Sequence, residues 1–386
     1  MTLPKSFGVR LDASDYGAGL RPRFRKGFVY ADARVDDARL VVCNALDARE
    51  RGADIRVRTR LASARREGAV WRATLDTRDG ATQEVTARAL VNAAGPWVCD
   101  VLDDVSDAPA NARVRHVKGS HIVVPRVHAE PHAYILQNAD NRIVFIIPYL
   151  DRYSLIGTTD VPVQSYDHPA ISEEETFYLL TLANTYLERP LTAADIVWSF
   201  SGVRPLYDDG TSDPSAVTRD YVLKVDGARN GTREALAPVL SVFGGKITTY
   251  RKLAEAALAE LARYFPQMKP AWTHDGVLPG GDLPRGDRDA WHAELVRMYP
   301  QLDAGLLSDL AHRHGTRASR VLGDTKAPAD MGEDFGAGLT EREIDYLRRE
   351  EWAVSADDIL WRRTKCGLPM TAAQREHVAA HVARTS

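Results

Sequence analysis

The 386 residues carry 50 Lys and Arg against 53 Asp and Glu, a formal charge of −3, and 44% of them are hydrophobic. This balance describes a globular chain long enough for two to three domains of roughly 150 residues, and it excludes a disordered or strongly basic, nucleic-acid-directed protein. The three cysteines, Cys43, Cys99 and Cys366, show no CxxC spacing, which disfavours a metal site or a disulfide framework and predicts a reducing, cytoplasmic setting.

The longest apolar runs, such as Ile143 to Ile147, fall far short of the ~20 residues that span a bilayer, and Met1 to Ser14 holds no signal-peptide core. Membrane contact is therefore predicted to be peripheral. Arg21, Arg23, Arg25 and Lys26 interleave with Phe24 and Phe28. They read either as an interfacial patch attracted to anionic lipid or as a solvated loop. Gly17-Ala18-Gly19 begins a dinucleotide fingerprint but meets Pro22 at the third glycine position and follows no apolar strand, so it is rejected.

Next in the chain, Asp36 to Asn44 leads into a helical Ala45 to Arg51 stopped by Gly52, and Asp54 to Leu61 alternates as a strand would. Val70 to Leu75 and Glu84 to Ala87 flank Arg78-Asp79-Gly80, a hairpin signal. Ala89 to Ala94 is a short apolar strand closed by Gly95-Pro96. Ser120 to Val124, Ala133 to Leu136, Arg142 to Ile147 and Ser154 to Gly157 predict an antiparallel sheet. The helix Ser172 to Tyr186 opens on a capping box of Ser172 and Glu175. A strand at Pro238 to Phe243, a Gly244-Gly245 turn and a helix from Thr248 to Arg263 restore α/β character. Beyond the Pro279-Gly280-Gly281 linker, 289–386 reads as helical.

Several residue patterns carry chemistry. In Val91 to Trp97, the small residues Ala93, Ala94 and Gly95 ahead of Trp97 would let a cofactor approach the backbone at a strand's carboxyl end, or simply make a tight turn. Gly244, Gly245, Lys246, Ile247, Thr248 and Thr249 join a strand to a helix start, leaving backbone N–H groups and one cation available to an anion. Walker A spacing is absent. Arg204 and Arg219 offer guanidinium forks suited to phosphate, and His121, on a strand, is a candidate general base. Each of these three also has a plain structural reading. His312 and His314, two residues apart, do not share a helix face, which disfavours a metal site.

Taken together, the segments 27–32 (GFVYAD), 35–40 (VDDARL), 91–97 (VNAAGPW), 118–125 (KGSHIVVP), 156–160 (IGTTD), 201–206 (SGVRPL), 218–221 (TRDY), 241–252 (SVFGGKITTYRK) and 357–365 (DDILWRRTK) resemble the aerobic, FAD-dependent glycerol-3-phosphate dehydrogenases. The chain opens downstream of the GxGxxG βαβ unit with which that family begins. The resemblance implies an α/β plus α+β architecture: a glutathione-reductase-like FAD domain, N-terminally incomplete (1–115, resumed at 206–269), an antiparallel substrate-binding sheet (116–205) and a C-terminal helical cap (270–386).

It further implies FAD as cofactor and hydride transfer from glycerol 3-phosphate to give dihydroxyacetone phosphate, with electrons passing to membrane quinone. The expected location is peripheral, on the inner face of the cytoplasmic membrane, and a homodimer is an open expectation. Arg204 and Arg219 would grip phosphate, His121 would act as base, Lys246 would lie near flavin and substrate, and Ala93, Ala94, Gly95 and Trp97 would line the ADP side. Two alternatives stand beside this reading. One is a glycerol-3-phosphate oxidase or another flavin oxidase of the same fold, and the other is a truncated fragment that binds no FAD.

Overall fold

A computed structural model describes residues 4–109, 112–208, 220–227 and 236–385. Strands β1 (Phe7–Arg10) and β2 (Lys26–Val29) pair antiparallel. Helix α1 (Asp37–Glu50) follows, and it starts where the Asp36 side chain accepts a hydrogen bond from the Arg39 amide at 3.0 Å. Strands β3 (Arg60–Glu67), β4 (Val70–Asp76) and β5 (Thr82–Ala87) form an antiparallel meander, with the Asp79-Gly80 turn at the predicted place.

The strand predicted at Asp54 to Leu61 does not form, and only Arg60 and Leu61 belong to β3. Arg58, with φ of 51°, turns the chain out of the extended region just where the Ile55, Val57 alternation would have to continue. β6 (Leu90–Asn92) then ends in a turn that leads to α2 (Val98–Asp100).

A larger sheet follows, built from β7 (Val114–Pro125), β8 (Tyr134–Gln137), β9 (Ile143–Tyr149), β10 (Tyr153–Gly157) and β11 (Val161–Pro162), with β12 (Trp198–Tyr207) along β7. Residues 121–123 of β7 pair with both β10 and β12, so the strand is interior there. Between β11 and β12 runs α3 (Glu173–Tyr186). Its Leu179, Leu182 and Ala183 pack on Ile122, Val124, Ile146 and Ile156 across one face of the sheet.

The carbonyls that end α3 are satisfied by the N-terminal arginines. Arg21 donates to Leu187 O at 3.0 Å and Asn184 O at 2.9 Å, and Arg23 donates to Thr185 O at 2.7 Å. Half of the four-cation cluster therefore closes a helix end.

β13 (Val222–Asp226), β14 (Val239–Phe243) and β6 make a third sheet, in which β14 runs parallel to β6. All five residues of β14 are buried. α4 (Tyr250–Ala262) covers it, with Ala257 and Leu261 against Leu240 and Val242. This is the continuous apolar pattern expected of a strand covered on both sides. The remainder is α5 (Arg288–Met298), α6 (Ala304–His314), α7 (Ala318–Leu322), the hairpin β15 (Asp334–Gly336) and β16 (Leu339–Thr340), α8 (Glu341–Glu350) and α9 (Ala372–Arg384), around a core that includes Leu295, Leu310, Phe335, Ile344 and Val378.

Two compact units result, one of Met1–Ala33 with Thr59–Ala271, the other of Arg34–Arg58 with Trp272–Ser386. α1 is tied into the second by buried charge. Arg39 forks onto Glu351 at 2.5 and 2.6 Å, and Lys365 donates to Asp36 at 2.7 Å.

Candidate active site

Side chains along a strand alternate faces, and residues paired across two strands share a face. On β7, Lys118, Ser120, Ile122 and Val124 therefore turn towards α3, leaving Gly119 and His121 on the opposite face. His121 pairs with Phe200 of β12 and with Gly157 of β10. Its ring lies flat on Phe200, centroids 5.0 Å apart and planes at 10°. On the Gly157 side a Cβ would sit 2.1 Å from His121 Cδ2, so only glycine leaves room for the imidazole.

Arg204, four residues beyond Phe200 on β12, projects from this same face. It donates to Asp160 Oδ1 at 2.5 Å and to Thr158 Oγ1 at 3.1 Å. Gly119 makes space for it, because a Cβ there would lie 2.6 Å from Arg204 Nη2 and 2.6 Å from Thr158 Oγ1. The guanidinium and Asp160 side chains are each 39% exposed, so a dissolved anion can reach the fork. The structure thus brings His121 and Arg204 onto one surface. Arg219 lies outside the described residues.

The turns after β6 and β14 leave the carboxyl ends of two parallel neighbours, where α/β sheets bind ligands. After β14, Gly244 and Gly245 have φ of 73° and 106°, values that favour glycine. A Cβ on Gly244 would stand 3.0 Å from Asp220 O and 3.5 Å from Pro205 O, which sets this turn directly beside the residue following Arg204. Lys246, Ile247 and Thr248 are exposed, and Thr249 is half-buried with its hydroxyl on Lys246 O at 3.1 Å. No side chain caps the 247–249 turn or α4 behind it. The Thr249 N–H donates to Lys246 O and the Tyr250 N–H to Ile247 O, so it is the N–H groups ahead of them, at Ile247 and Thr248, that are available to an electron-rich ligand.

After β6, buried Asn92 shapes the turn by donating to Val98 O at 2.9 Å and accepting from the Ala94 amide at 3.3 Å. Ala93 is exposed, Ala94 and Gly95 are half-buried, and Trp97 donates its indole N–H to Asp167 at 3.0 Å. His116 of β7 holds the turn from the side through Pro96 O at 2.9 Å, and Tyr166 stacks on that imidazole. The uncapped helical turn after β14 and the small-residue turn after β6, at the carboxyl ends of parallel neighbours, have the chemistry that fits a flavin dinucleotide.

Gly119, Gly157, Thr158, Asp160 and Asn92 were not individually legible as site residues. All five fall within the segments 91–97, 118–125 and 156–160 that carry the family resemblance, and no chemistry of their own singles them out. Behind the sheet, Glu175 does more than close the capping box that the sequence predicts. Burial acts to raise its pKa, but donors from Lys118, Thr159, the Ser172 amide and Ser120 outweigh that and hold it at about 2.

Residues 7–251 match the FAD dependent oxidoreductase family, and residues 271–385 match the C-terminal domain of alpha-glycerophosphate oxidase. The chain is 48% identical over 381 residues to a glycerol-3-phosphate dehydrogenase of Pseudomonas aeruginosa, covering 98% of this chain and 73% of that protein. It is 43% identical over 377 residues to a D-erythritol 1-phosphate dehydrogenase of Brucella abortus, covering 97% and 74%. The glycerol-3-phosphate dehydrogenase from Bacillus halodurans, solved in complex with FAD, superposes with a TM-score of 0.74 at 25% identity, covering 95% of this chain and 76% of that one.

Proposed function

Because the chain belongs to the family of FAD-dependent glycerol-3-phosphate dehydrogenases, we propose that it oxidises sn-glycerol 3-phosphate to dihydroxyacetone phosphate and passes the electrons to a membrane quinone. Bound FAD supplies the acceptor for the hydride that leaves carbon 2. His121 takes the proton of the carbon 2 hydroxyl, so that the carbonyl forms as the hydride departs. Arg204 binds the phosphate by paired N–H donors, joined by Arg219. Lys246 and the N–H groups of the 247–249 turn would hold the flavin ring and supply positive charge to it. Ala93, Ala94, Gly95 and Trp97 line the ADP portion.

The observation that carries this reading is the shared face of His121 and Arg204. A half-exposed phosphate fork and a ring nitrogen project from one sheet surface beside the Gly244–Lys246 turn. Asp160 fixes the fork before substrate arrives.

The test is turnover of the purified flavoprotein with a soluble quinone analogue, with dihydroxyacetone phosphate identified as product. Stoichiometric hydrogen peroxide without quinone reduction would make the protein an oxidase instead. The resemblance to a D-erythritol 1-phosphate dehydrogenase favours a second reading, in which the preferred polyol phosphate is one carbon longer. The two kcat/KM values decide it.

Peripheral attachment to the inner face of the cytoplasmic membrane belongs to the same proposal. Among the described residues no helix is long and apolar enough to cross a membrane. Phe28, 87% exposed on β2 next to Lys26, presents an apolar contact suited to a lipid surface. Loss of sedimentation with anionic vesicles on Phe28→Ser supports that contact, and unchanged sedimentation removes it.

A further inference from the structure

Glu175 is the third residue of α3 and closes a capping box, its Oε2 accepting from the Ser172 amide at 2.9 Å. Capping needs no more than that, and a capping glutamate is ordinarily solvated. This one is only 5% exposed and carries three further partners. Oε1 accepts from Ser120 Oγ at 2.8 Å and from Thr159 Oγ1 at 2.6 Å, while Oε2 pairs with Lys118 Nζ at 2.9 Å. The network extends from there. The Ser120 amide donates to Thr159 Oγ1 at 2.9 Å, and Ser120 Oγ meets Ser201 Oγ of β12 at 2.8 Å.

One carboxylate thus gathers β7, β12, the start of α3 and the 157–160 turn. That turn matters for the opposite face. The two residues that grip Arg204, Thr158 and Asp160, stand on either side of Thr159. Thr159 points back to Glu175 while its neighbours reach forward to the guanidinium.

We propose that Glu175 is a positioning residue for phosphate recognition, acting from behind the sheet through Thr159 to hold the turn that aims Arg204. The inference rests on the assignment of Arg204 to the substrate phosphate. A carboxylate suits the task because it accepts all four donors at once. An amide in its place offers one acceptor oxygen and turns its two N–H donors either towards the Ser120 and Thr159 hydroxyls or towards the Ser172 amide and the Lys118 ammonium, groups already oriented to donate. Loosening the turn removes preorganised binding that ground state and transition state use alike, so the loss falls on KM rather than on kcat.

The test uses the FAD-bound enzyme and the variants Glu175→Gln, Thr159→Val, Thr159→Ser and Arg204→Ala. Thr159→Val keeps the shape and every charge, and it bears the test where Glu175→Gln fails to fold. KM for sn-glycerol 3-phosphate is expected to rise about tenfold in Glu175→Gln and in Thr159→Val. kcat should stay within about twofold and flavin content should match the parent. Thr159→Ser, which restores the hydroxyl, returns KM to the parent value. In the Arg204→Ala background neither change raises KM further, because the group they position is gone.

An unchanged KM in Thr159→Val overturns the proposal, as does an effect of full size in the Arg204→Ala background. So does a loss confined to thermal stability and flavin content, which is what uncapping α3 alone would cause. A parent-like KM in Arg204→Ala itself overturns the phosphate assignment beneath the proposal, and that outcome is read independently of the Glu175 variants.

Discussion

Replacing Gly157 by alanine tests the catalytic face with a single methyl group. The new Cβ would lie 2.1 Å from His121 Cδ2, whereas ordinary contact begins at 3.4 Å. The ring must therefore retreat by about 1.3 Å, well beyond the few tenths of an ångström a packed side chain concedes. It has no slack on the other flank, where Phe200 is stacked with centroids 5.0 Å apart. A misplacement near 1 Å costs on the order of 10²-fold in rate, so kcat for glycerol 3-phosphate is expected to fall by roughly that factor while FAD content is retained. Gly8→Ala is the control, on β1, where an added Cβ meets only Phe28 Cε1 at an ordinary contact distance of 3.9 Å. The assay is steady-state kinetics at saturating substrate, with flavin absorbance reporting occupancy. A kcat within about threefold of the parent, with normal flavin, would refute the placement of His121 at the reacting centre.

Gly119→Ala should act on the other end of the substrate. Its Cβ meets Arg204 Nη2 at 2.6 Å, and weakening a charge-assisted contact to phosphate is expected to raise KM about 10- to 100-fold, checked by initial-rate kinetics. Lys246→Met should lower the flavin reduction potential, because removing a cation near the reduced ring removes stabilisation of its charge. Equilibrium dye titration reads it, and an unmoved potential places Lys246 elsewhere.

The helical unit has its own pH dependence. Burial works to raise the pKa of Glu351, but Arg39 and His314 outweigh it and hold the carboxyl at about 2, below its unfolded value near 4.3. A depressed folded pKa contributes stability above the unfolded value and loses it as pH falls. Thermal stability should therefore fall progressively from about pH 4.3 towards pH 2. Glu351→Ala, which strands Arg39, should cost about 3–5 kcal/mol at neutral pH and flatten that acid limb. A parent-like acid limb in the variant would contradict the assignment.

Local signals were legible where one residue decides a local geometry. The Ser172 and Glu175 capping box, the Asp79-Gly80 turn and the passage from β14 through Gly244-Gly245 into α4 all lie where the residues place them. What escaped depends on partners distant in sequence. β12 carries Gly202 and Pro205, which hide a strand, and its pairing with β7 is what orders Trp198–Tyr207. β3 is rich in arginine and shows no clean alternation, yet it pairs along β4. Asp54 to Leu61 had the alternation without the backbone, since Arg58 turns away.

In the proposed site, His121, Arg204 and the Gly244–Thr249 turn stand out in the sequence because their residue types carry chemistry. Gly119 and Gly157 were missed because their contribution is space, which only the paired strands reveal. Glu175 was read for its local cap alone, since its other partners come from β7 and from the turn after β10.

Anaerobic reduction of the bound flavin by substrate tests the central claim most directly. Mixed with sn-glycerol 3-phosphate in the absence of oxygen, the yellow protein should bleach in a saturable, single-turnover reaction. Glycerol, which lacks the phosphate assigned to Arg204, should leave it oxidised at matched concentration, and Arg204→Ala should require about 10- to 100-fold more substrate for half-maximal rate. A flavin that stays oxidised with glycerol 3-phosphate, or one that bleaches equally well with glycerol, would contradict the account.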